Sequence, residues 1–62
     1  MPIVRIDMWS GRTAAQKKKL IKDITDAFVS TGTQKEAVQI IIKEVPKDHW
    51  GLAGEVASEV YP

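Results

Sequence analysis

Apolar and polar residues alternate at the start of the chain, and then the period changes. Even positions Pro2, Val4, Ile6 and Met8 are all apolar, whereas odd positions Ile3, Arg5, Asp7 and Trp9 are mixed. That period of two predicts a β-strand from Ile3 to Met8 or Trp9. Ser10-Gly11-Arg12 reads as a turn, and Thr13 with Gln16 has the spacing of a capping box, in which each side chain satisfies a free backbone amide of the other. Leu20, Ile21, Ile24, Ala27 and Phe28 then recur at helical spacing. They predict an amphipathic helix of about 18 residues, stopped by Gly32 in a left-handed conformation. The most apolar stretch follows, from Val38 through Ile40-Ile41-Ile42 to Val45, and Pro46 ends it. Three successive isoleucines predict a strand buried on both faces and paired in parallel with the first. From Lys47 to Ala57 the turn residues and apolar spacing fit a short hairpin or an embracing arm. The expected fold is α+β, with residues 1–62 forming one domain: a βαβ unit with a right-handed crossover and a C-terminal hairpin.

Size changes how that fold must be stabilised. A chain of 62 residues hides only about 60% of its unfolded surface when it folds alone. Small scaffolds are held by disulfides, metals or partner subunits. There is no cysteine, and His49 is the single histidine, which argues against a disulfide framework or a metal centre. Yet 44% of the residues are hydrophobic and two are tryptophan. Association of copies is the remaining device, and a two-stranded sheet beneath one helix leaves a bare face and bare edges for it. No run approaches the roughly 20 apolar residues of a membrane span, and no signal peptide pattern occurs. The expectation is a soluble cytoplasmic homo-oligomer. Nine Lys and Arg against eight Asp and Glu lack the one-sided basic balance of a nucleic-acid binder.

Pro2 is the first residue with distinctive chemistry. Aminopeptidases that remove an initiator methionine accept proline in second place, and the exposed secondary amine is a base. An ordinary α-amino group titrates at about 7.7–8.0. Burial beside cations lowers that value toward neutrality, where general bases work best.

Several pieces together give the chain a family resemblance. Met1-Pro2-Ile3, Gly11-Arg12 before the capped helix with Gln16-Lys17, the isoleucine-rich second strand, and His49-Trp50-Gly51-Leu52-Ala53-Gly54-Glu55 occur in this order. In that respect the sequence resembles the 4-oxalocrotonate tautomerase family across nearly its whole length. The resemblance implies protomers that pair into dimers by joining their sheets, with three dimers closing into a hexamer. It implies a cofactor-independent isomerase in which Pro2 is the general base, moving a proton from the hydroxyl of a 2-hydroxydienoate to carbon. Arg12 matches the family's first arginine, which binds a substrate carboxylate, a task suited to a planar and permanently charged fork. Trp50 stands where the family has an aromatic that walls the pocket and lowers the amine's pKa. The family's second arginine is missing: Gln39 follows Val38, and no arginine occurs after Arg12. Gln39 is therefore the expected substrate contact there, with a weaker grip on a second carboxylate. Ala53 stands where glycine is common.

The other charged and aromatic residues have plainer expected roles. Arg5 is on the face opposite Pro2 and is expected in an ion pair with Asp7 or another chain. Lys17, Lys18 and Lys19 are expected on a solvated helix face, His49 at the surface, and Trp9 in an interface. Two alternatives stand beside the isomerase. One is a family relative with dehalogenase or decarboxylase chemistry, in which the prolyl base activates water and an extra carboxylate assists. The other is a non-enzymatic oligomeric binding module, such as a DNA-reading ribbon-helix-helix protein, which would need a second helix after Gly32.

Overall fold

The computed structural model describes residues 1–62. Strand β1 (Ile3–Trp9) runs into helix α1 (Ala14–Val29), and the chain then returns to β2 (Gln39–Val45). The capping box forms as expected: Gln16 N donates to Thr13 Oγ1 at 3.1 Å and Thr13 N donates to Gln16 Oε1 at 2.9 Å. At the other end Gly32 has φ +102°. Its N–H reaches Val29 O at 3.0 Å and the Thr33 N–H reaches Phe28 O at 3.3 Å. This is the paired closure of a helix by a left-handed residue. A 3₁₀ turn, Lys35–Ala37, leads into β2, which begins one residue later than the sequence pattern places it.

β1 and β2 pair in parallel, in a register that sets Ile3 beside Gln39 and Trp9 beside Val45. Val4, Ile6 and Met8 of β1, with Ile40 and Ile42 of β2, alternate to the half-buried face, and Leu20, Ile24 and Phe28 form the matching stripe on α1. This stripe is narrower than the apolar spacing predicts, since Ile21 and Ala27 are exposed. Lys17 corrects a second expectation: it is half-buried at the foot of the stripe and pairs with Glu44 of β2 at 3.0 Å.

The opposite sheet face carries Ile3, Arg5, Asp7, Gln39, Ile41 and Lys43, all of them exposed. Burial of β2 on both faces is therefore not achieved within one chain, because one helix covers one face only. Ile3 remains 52% and Ile41 44% exposed, and Ala57 is the single fully buried residue. Arg5 and Asp7 form no ion pair within the chain.

After a second 3₁₀ turn, Lys47–His49, come β3 (Gly51–Leu52) and β4 (Glu55–Val56), an antiparallel hairpin. Ala53 (φ 52°) and Gly54 (φ 78°) are its two central turn residues, both left-handed. Two-residue hairpin turns of this kind match the twist of the flanking strands. A last helical turn, α2 (Ala57–Val60), which the sequence pattern does not announce, closes the chain.

Candidate active site

Parallel pairing fixes where the chemistry-bearing residues lie. Gln39 N donates to Pro2 O at 3.0 Å, so these two residues share one end of the sheet. Pro2 is half-buried there. Met1 precedes it, which makes the Pro2 nitrogen an amide in this form, and Gln39 Nε2 lies 3.6 Å from Met1 Sδ.

Arg12 and Trp50 belong to the other end. Arg12 follows Gly11, whose φ of +118° turns the chain out of β1 and into α1. Seven residues of extended β1, at about 3.3 Å each, set Pro2 and the turn that carries Arg12 on the order of 20 Å apart. Trp50 packs edge-on against Trp9 with ring centroids 5.9 Å apart. Tyr61 leans on the same Trp9 ring at 5.7 Å, and Lys47 Nζ sits 4.8 Å above it while donating to Tyr61 O at 2.6 Å. The Trp9 Nε1–H is buried without an acceptor. His49 is exposed, as expected.

One chain thus holds its candidate residues in two separate groups, or half-sites: Pro2 and Gln39 at one end of the sheet, and Arg12 and Trp50 toward the other, where Trp50 rests on Trp9 and does not line the groove that Arg12 opens on. No small substrate spans both within a protomer.

The Arg12 half-site opens on a groove of about 300 Å³ lined by Met8, Arg12, Gln16, Lys19, Leu20 and Asp23. Met8 and Leu20 supply its apolar part, and the rest is polar or charged. Lys19 Nζ donates to Asp23 Oδ2 at 2.6 Å. That hydrogen bond is the main cause holding the Asp23 carboxyl below its usual value, so it stays ionised and weakly basic. Lys19 lies in the Arg12 groove, which its place in a run of lysines does not reveal. The signal in the sequence is the helical spacing of Gln16, Lys19 and Asp23, a stripe of α1 that starts one turn after Arg12. The Tyr61–Trp9 contact left no comparable signal.

The chain belongs to the tautomerase family: the sequence profile of the tautomerase enzyme matches residues 2–59. Among curated relatives, the 2-hydroxymuconate tautomerase of Pseudomonas putida is 46% identical over 61 residues, covering 97% of each chain. A 4-oxalocrotonate tautomerase isozyme from Methylibium petroleiphilum superposes with a TM-score of 0.91 at 35% identity, covering 98% of this chain and 100% of the other. A heterohexamer 4-oxalocrotonate tautomerase from Chloroflexus aurantiacus gives 0.88 at 33% identity, covering 97% and 98%. The fold expectation and the assignment as an isomerase are both borne out.

Proposed function

We propose that this protein is a tautomerase of 2-hydroxydienoate-type carboxylates, with Pro2 as its general base once Met1 has been removed. The neutral amine accepts the enol hydroxyl proton, the electron pair of that bond closes a carbonyl, and the shifted diene electrons take the proton back at carbon. Pro2 ends as it began, and no co-reactant is consumed. Arg12 anchors a carboxylate, Trp50 walls the pocket, and Gln39 donates to the far polar end. The observation that carries the reading is the tautomerase match beginning at Pro2 itself. Asp23, the one carboxylate in the groove, is held in its charged form by Lys19 and makes a poor base.

The separation of the half-sites demands a second copy. A two-fold axis that joins sheet edges in antiparallel fashion sets the Pro2 end of one chain beside the Arg12 and Trp50 end of its partner. The exposed Ile3 and Ile41 give such dimers an apolar face for further assembly, and a hexamer is the expected end point. A folded monomer in light scattering at micromolar concentration would refute it.

The catalytic reading is tested with Pro2→Ala, after mass spectrometry establishes that Met1 is absent from both proteins. Removing a general base costs about 10²–10⁴ in rate. An unchanged rate on 2-hydroxymuconate, with assembly intact, rejects Pro2 as the base.

A further inference from the structure

We infer that Lys19 is the second cation of the substrate site, so that Arg12 and Lys19 of one chain grip the two ends of a dicarboxylate. The inference rests on Arg12 as the carboxylate anchor and deepens that reading.

Three residues at helical spacing on α1, with Arg12 just before its cap, carry it. Arg12, Gln16, Lys19 and Asp23 line one groove, with Met8 and Leu20 completing it. Arg12 lies just before the Thr13 cap and Lys19 in the second turn of α1, a separation on the order of 10 Å along the helix direction at about 1.5 Å per helical residue. A six-carbon dienedioate is roughly 6–7 Å between its carboxylate carbons from ordinary bond lengths. Two long, flexible side chains close the difference, and the apolar pair accepts the diene between the charged ends.

The other lysines of α1 are committed or misplaced. Lys17 is tied to Glu44, Lys22 to Asp26, and Lys18 does not line this groove. Lys19 is held by Asp23, but both groups are more than half exposed. An exposed ion pair has little net strength, so a substrate carboxylate can take the place of Asp23 against the same ammonium. Gln39, proposed to donate to the far polar end of the substrate, offers only a neutral amide, which leaves Lys19 to supply the charge at that end.

The test is calorimetric binding of two unreactive acids to the processed, assembled protein: muconate, with a carboxylate at each end, and sorbate, the same diene with only one. Muconate should bind more tightly than sorbate to the parent. Lys19→Met should weaken muconate by about three- to tenfold, as expected for loss of one charge-assisted contact, and sorbate by less than twofold. Lys19→Arg should keep the preference, and Asp23→Asn should strengthen it by removing the competing anion. The inference is overturned if the parent binds neither acid, if Lys19→Met leaves muconate affinity unchanged, or if both acids weaken equally. Because no turnover is needed, failure of the Pro2 mechanism is separable: it appears as Pro2→Ala activity matching the parent while muconate binding still depends on Lys19.

Discussion

Two inactive variants of this protein should restore each other. Pro2→Ala removes the base and Arg12→Ala removes the anchor. The first loses about 10²–10⁴ in rate. The second loses about 1.5–3 kcal/mol, or ten- to a hundredfold. In the structure these residues flank opposite ends of β1, so the proposed site takes Pro2 from one chain and Arg12 from another. When equal amounts of the two variants are unfolded together and refolded, a site receives an intact Pro2 in half of cases and an intact Arg12 in half. About a quarter of sites are then whole if copies assemble at random. The assay is the decay of 2-hydroxymuconate absorbance, compared with the same mixture combined without unfolding. Recovery near a quarter of parent activity is expected. If the two residues served one site within a chain, no site in the mixture would be whole. Activity no higher than the mean of the separate variants, in a mixture whose assembly matches the parent, refutes the split-site arrangement.

Three further outcomes are expected. Ala53→Gly should raise stability by about 0.5–1 kcal/mol in chemical unfolding, because Ala53 holds φ 52° where a side chain is strained and glycine is not; a lower midpoint would count against a strained turn. Gln39→Arg should raise kcat/KM for 2-hydroxymuconate relative to a monocarboxylate dienol by no more than about 1–2 kcal/mol; an unchanged ratio would remove Gln39 from the substrate's path. Asp23 titrates below its ordinary 3.8, chiefly through the Lys19 hydrogen bond, so its stabilising contribution is full above that ordinary value and is lost as pH falls through the folded one. Acid titration followed by helical ellipticity should show this step flattened in Asp23→Asn, and identical curves would show that the pair does not act on the helix.

Local pattern made most of the protomer legible. The alternation over Ile3 to Trp9, the Thr13–Gln16 box and the Gly32 stop depend on neighbours within a few residues, and each forms as the sequence predicts. What depends on the partner element was harder to read. Lys17 looks like one of three solvated lysines until β2 brings Glu44 beneath it, and the three isoleucines look alike until the single helix selects Ile40 and Ile42. The candidate site residues stand out by type and motif; the extended β1 separates Pro2 from Arg12, and the parallel register is what places Gln39 at the Pro2 end. The tail's helical turn is too short to show a period.

A protomer with Ala57 as its one fully buried residue keeps little of its stability to itself. Its fold becomes a question of how often chains meet. In the proposed assembly a newly made copy displays Ile3 and Ile41 until it finds others, so the rate of becoming native is expected to rise with the amount being made. Dilution of such an assembly is then expected to unfold the protein as heat does. A melting temperature measured at one concentration describes that concentration alone.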